Sequence, residues 1–240
     1  MNPERGERRR AGEWPWVTLG LVAASSLAAL LPGAEGILEY DRAAVGAGEP
    51  WRLLTGQLVH WTPRMAVADL VVLLAAGAWL ESRSRRLALA TLLMGALLVG
   101  LGLHGFAPGL SHYRGSSGMA SALFVAVALK MAADPSHRWV RATALATLGL
   151  FGAKLLWEME TGRALAAGAL LPGVVVTPWA HLMGGLAGFL ASSLHRPEHE
   201  RSGSRTGADS GSASDSMQAL AAETGIRRSR WTPRCRPGRS

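Results

Sequence analysis

The chain is 240 residues long, 49% hydrophobic and formally +8 at pH 7, a length that suits one domain with a tail. Its apolar residues concentrate between Val17 and Leu194, and its arginines sit in the loops and termini around the apolar runs. That distribution speaks for membrane topology and excludes nucleic acid as the partner of the charge, while the single cysteine, Cys235, excludes an intramolecular disulfide framework.

Residues 1–15 form a basic N-terminal segment containing Arg5, Arg8, Arg9 and Arg10. The apolar run behind them lacks a clear small-residue cleavage site of the A-x-A kind and is followed by more such runs. The expectation is a retained first span, not a removed signal peptide. A helix crossing the hydrocarbon needs about 20 apolar residues, and six runs meet or approach that: 16–32, 63–80, 87–104, 117–133, 138–157 and 178–194. The expected fold is an all-α, six-helix membrane bundle over residues 16–194. A disordered basic tail over 195–240 follows, with 217–225 as its one helical stretch.

Arg83, Arg85 and Arg86 follow the second run, and Lys130, Arg138 and Arg141 flank the gap after the fourth. The loop 33–50 is instead acidic, with Glu35, Glu39, Asp41 and Glu49. The positive-inside rule then places both termini in the cytoplasm of a multi-pass protein of the cytoplasmic (inner) membrane. In that arrangement the second, fourth and sixth helices all start near the outer face. Thr62-Pro63 and Thr177-Pro178 pair an N-cap with proline at the first helical position, and Gly115-Ser116 precede the fourth helix similarly. Ser117 and His181 therefore share a level in the first turns of parallel helices. Met65 and Asp69, four residues apart, lie on one face of the second.

Within "YRGSSGMASALF" (113–124), Ser117 reads as a nucleophile or as a small packing residue between Gly115 and Gly118. His181 is the one histidine inside a span, and Asp69 the one carboxylate; an ionisable group there is a functional candidate. Gly184 and Gly188 let the sixth helix approach a neighbour closely, which would bring His181 to Ser117 as the base a serine needs. Asp69 reads either as a protonated hydrogen-bond donor or as an acid paired with a polar group of another span.

Together these pieces resemble the rhomboid family of intramembrane serine proteases, and within it the rhombosortase branch. "EPWRLLTGQLVHW" (49–61) is similar to the family's E-x-W-R motif, and "EYDRAAVGAGEPWRLLTG" (39–56) to the rhombosortase loop. "YRGSSGMASALF" resembles the serine motif and "AHLMGGLAG" (180–188) the histidine motif. The resemblance implies a six-span fold and a catalytic dyad of Ser117 and His181, with no cofactor and no metal. It further implies oxyanion support from the serine amide, with Gly118, His60 and Asp69 as candidates. Met65 and Asp69 stand where the family has histidine and asparagine, and Ser121 where it often has an aromatic residue. The implied partners are the lipid bilayer and a membrane-anchored protein whose C-terminal signal combines Gly-Gly, an apolar span and basic residues. The alternatives are a weak or inactive rhomboid-like protein that binds transmembrane segments, and a small-solute transporter, for which no internal repeat is found.

Overall fold

The computed structural model describes residues 14–162 and 177–195. Most of the expected N-terminal segment, residues 163–176, and the tail beyond His195 with its 217–225 stretch lie outside the described residues. The long helices are α1 (Trp16–Leu30), α5 (Pro63–Glu81), α6 (Arg85–Phe106), α7 (Ser117–Ala132), α8 (Arg138–Thr161) and α9 (Pro178–Leu194). Between α1 and α5 the chain folds into α2 (Ala34–Leu38), the two-residue strand β1 (Tyr40–Asp41), α3 (Arg42–Gly46) and α4 (Arg52–Thr55). A second short strand, β2 (His112–Tyr113), pairs antiparallel with β1, Tyr40 opposite Tyr113.

Local chemistry explains where the helices begin. Thr62 caps α5 by accepting from the Met65 amide at 3.2 Å, with Pro63 at its first position. Ser84 caps α6 through the Leu87 amide. Thr177 holds the N-cap position of α9, ahead of Pro178, without a side-chain capping bond. The start of α1 borrows its cap: the Glu81 carboxylate at the end of α5 accepts from the Val17 and Thr18 amides, both at 3.0 Å. Those amides have no intrahelical partner, so one buried acid fixes α1 antiparallel to α5.

By length and composition, α5, α6 and α8 are able to cross a membrane, while α1 and α7 are apolar but shorter. Helix α8 continues four residues beyond the expected end at 157, stopping at Gly162 in the left-handed region (φ 64°). That extension corrects the reading of Asp69 as the only carboxylate within a span, because Glu158 lies inside α8.

Helix α7 occupies the centre, with every residue from Gly118 to Leu123 buried. Leu73, Leu80, Leu87, Leu92, Met119 and Leu123 form the main core, and Tyr40, Val99, Leu103, Tyr113 and Ala180 form a second one near the start of α7. Val67, Val71, Leu145, Leu150 and Leu156 on α5 and α8 point outward, as apolar residues do when the surroundings are lipid. Glycines set the closest helix contacts. A Cβ on Gly184 would run into the Gly118 carbonyl, and one on Gly188 into the Ala122 carbonyl. Helices α7 and α9 therefore run parallel with their backbones touching.

The 33–56 loop is stitched down by two arginines. Arg42 donates to the carbonyls of Leu103, His104, Ala107 and Leu110 at 2.8–3.1 Å, clamping the end of α6 and the turn that follows it. Arg52 donates to the Gly36 and Glu39 carbonyls and pairs with Glu49. The loop is thus pinned to the end of α6 and, through the β1–β2 pairing and the Gly56 carbonyl, to the segment that leads into α7.

Candidate active site

The chain enters α7 through Gly115, whose φ of 142° suits glycine and whose missing side chain leaves room for the Met65 methyl group. Its amide donates to the Gly56 carbonyl at 3.2 Å. Ser116 is buried, and its amide donates to Asp69 Oδ2 at 3.1 Å. Its hydroxyl lies 3.1 Å from His60 Nε2, which is itself 3.4 Å from Asp69 Oδ2. Asp69 and His60 together grip the residue before Ser117. Ser117 then opens α7, where the amides have no intrahelical partners and point out of the helix start.

His181 lies in the first turn of α9, three residues before the Gly184 contact with α7. Its Nδ1 is 3.2 Å from Glu158 Oε2 and 3.2 Å from Lys154 Nζ. Lys154 and Glu158 pair with each other at 2.7 Å, one turn apart on α8. Glu158 is 1% exposed. Among the described residues neither Nε2 of His181 nor the Ser117 hydroxyl makes a hydrogen bond.

A cavity of about 710 Å³ bounded by α5, α7, α8 and α9 takes in Asp69, Ser117, Ser121, Lys154, Trp157 and His181. The structure therefore gathers three of the sequence candidates, Ser117, His181 and Asp69, around one space. His60 lines a separate cavity of about 410 Å³ together with Trp61 and Arg114. Gly118 packs against Val99 and the Ala180 carbonyl, and Gly115, Gly184 and Gly188 are likewise in tight contacts. Ser121 donates to the Ser117 carbonyl at 2.9 Å. Among the described residues no group of His, Cys, Asp and Glu side chains could hold a metal ion.

Three residues at the site escaped sequence reasoning. Lys154 and Glu158 carried a readable signal, since opposite charges four residues apart face each other on a helix and charges in an apolar run call for a partner. Tyr113 did not. Its hydroxyl is buried without a hydrogen-bond partner among the described residues. Burial raises its pKa, the Asp69 charge adds to that, and the Ser117 side chain and Gly118 backbone oppose it.

The grouping of a serine at a helix start with an imidazole beside a buried acid suits acyl transfer. A search of curated proteins found no match to the chain. Residues 47–198 match the family model described as the Rhomboid domain. This stretch is more than half of the chain and contains α4 through α9 with every residue named around the larger cavity. Proteins of that family are generally serine proteases that act on membrane proteins within the bilayer. With its apolar helices and this domain, the chain is an integral, multi-pass membrane protein belonging to the rhomboid family.

Proposed function

We propose that the chain is an intramembrane serine endopeptidase working through Ser117 and His181. It would span the cytoplasmic membrane six times with residues 16–194, leaving residues 1–15 and 195–240 in the cytoplasm. The observation that carries the reading is the shared cavity: Ser117 and His181 line the same space, next to the contact between Gly118 and Gly184.

In this reading Ser117 Oγ attacks the scissile carbonyl while its proton passes to His181 Nε2. The tetrahedral intermediate collapses, the C–N bond breaks, and the proton moves from Nε2 to the leaving amine. Water then resolves the acyl-enzyme, with His181 acting again as base. The developing oxyanion is met by the Ser117 amide at the helix start, aided by Gly118. His60 and Asp69 hold the Ser116 turn that aims this amide. A helical substrate must unwind to present its carbonyl, since its own hydrogen bonds otherwise occupy the backbone. On the sequence resemblance, the substrate is a membrane-anchored protein ending in Gly-Gly, an apolar span and basic residues.

A non-catalytic protein that binds transmembrane segments is the second reading, favoured by the Lys154 ammonium beside His181 Nδ1. A fluorophosphonate probe on the full chain in membranes separates the two. The protease reading expects stoichiometric labelling that is abolished in Ser117→Ala and slowed at least about 100-fold in His181→Ala. Wild-type protein that stays unlabelled, or a Ser117→Ala variant that labels normally, would sink it. A co-expressed reporter carrying the tripartite tail should be cut by the wild type and left intact by Ser117→Ala.

A further inference from the structure

We propose that Glu158 is the positioning residue that fixes the tautomer of His181, holding the proton on Nδ1 and leaving Nε2 as the base. For its catalytic meaning this deepens the protease reading and rests on it; the hydrogen-bond assignment itself does not.

Two groups compete for Nδ1. Glu158 Oε2 and Lys154 Nζ each lie 3.2 Å away, and one ring nitrogen serves only one of them. If Nδ1 donates to Glu158, Nε2 carries the lone pair. If Nδ1 accepts from Lys154, the proton sits on Nε2 and the ring cannot take one from serine. Burial decides between them. The Glu158 side chain is 2% exposed, whereas that of Lys154 is 31% exposed. A carboxylate has only acceptor sites, and one enclosed on all sides loses more by forgoing a donor than an ammonium that opens onto the cavity it shares with Ser117, where the hydrolytic water must enter. Lys154 already spends one proton on Glu158 at 2.7 Å and can turn the others into that cavity. The favoured arrangement has both Lys154 and His181 donating to the acid.

The placement of Glu158 points the same way. It stands in the last turn of α8, where a negative charge opposes the helix dipole, and inside a helix apolar enough to span the membrane. Neither position favours a carboxylate for the helix's own sake. Its contact with a residue 23 positions away gives it a reason to be there. When the ring becomes cationic during catalysis, the same carboxylate faces the new charge.

The test uses the full chain in detergent micelles with ring-¹⁵N histidine, His181 being assigned by its loss in His181→Ala. The wild type should show a protonated Nδ1 and a bare Nε2. Glu158→Gln, whose amide can donate to the ring, should raise the Nε2-protonated fraction and slow Ser117 labelling about 100-fold; the corresponding change lowers the rate about 10⁴-fold in the best-known serine protease triad. Lys154→Met should keep the wild-type tautomer. A wild-type ring protonated on Nε2 overturns the proposal, and so does a Glu158→Gln variant matching the wild type in tautomer and rate. If the tautomer changes as expected but no Ser117-dependent labelling occurs in any form, the positioning role stands and the protease reading falls.

Discussion

The hydroxyl of Tyr113 is buried beside the start of α7 with no hydrogen-bond partner among the described residues. An orphaned buried hydroxyl costs on the order of 1–3 kcal/mol, so a stability argument alone would favour phenylalanine. Burial and the Asp69 charge raise the pKa of this phenol, which keeps its proton in place at neutral pH and makes it a donor awaiting an acceptor. A developing oxyanion is such an acceptor, and Met65 supplies no donor of its own. Tyr113→Phe should therefore leave the melting temperature unchanged or higher while slowing fluorophosphonate labelling about 10- to 100-fold. Equal labelling rates would show that the hydroxyl gives nothing to the reaction. Tyr113 stood within the quoted serine motif, yet nothing in the sequence distinguishes a buried, unpaired phenol from a packed one. Ser117 and His181 stood out because glycines and spacing surround them. Glu158 lies one residue past the apolar run expected to end at Trp157; only the continuation of α8 by another turn brings it against His181.

At the scale of elements, helix starts were legible because their chemistry is local: a threonine before a proline marks α5 and α9 without any tertiary information. The folding of residues 33–56 was not legible. Its anchor, Arg42, bonds carbonyls 61 to 68 positions away, and no local pattern announces such a partner. Glycine spacing fell between these cases, suggesting a close contact for α9 with the helix that Ser117 opens but not which backbone atoms would meet. The structure places Gly184 against the Gly118 carbonyl, so Gly184→Ala should push α9 off α7 at the level of the candidate dyad. We expect a loss of about 1–3 kcal/mol in stability, and a displacement of about 1 Å would slow labelling roughly 100-fold. Gly149→Ala and Gly152→Ala on α8 are the controls, since a Cβ there meets nothing within 4 Å. They should label normally and be as stable or slightly more stable, because alanine favours a helix over glycine by about 1 kcal/mol. If Gly184→Ala behaves like the controls, the two helices do not need their close contact for reactivity.

At the scale of the molecule, the contacts sort the helix ends into two levels. Glu81 ties the end of α5 to the start of α1, Ser84 ties the start of α6 to His195, and Glu158 meets His181 at the opposite end. The first level collects Arg83, Arg85, Arg86, Arg138 and Arg141, with Trp14, Trp16 and Trp139 exposed among them. The second collects Glu35, Glu39 and Glu49, with exposed Trp51, Trp61 and Trp157. The second level also carries Arg42, Arg52 and Arg114, each engaged with the loop or the turn before α7, and on the proposed topology it is the first level that faces the cytoplasm. Ser117 lies at the other level, so the proposed topology puts cleavage toward the outer face. The chain's single cysteine, Cys235, makes the wild type its own probe of this orientation. A membrane-impermeant maleimide should leave Cys235 unlabelled in intact cells and label it fully in inverted vesicles. In a Cys235→Ser background, Gly109→Cys, in the exposed turn between α6 and β2, should show the opposite pattern. Labelling of Cys235 in intact cells together with protection of Gly109→Cys would invert the protein and put Ser117 on the cytoplasmic side. The acidic 33–50 loop would then face inward, and the charge asymmetry would need a cause other than topology.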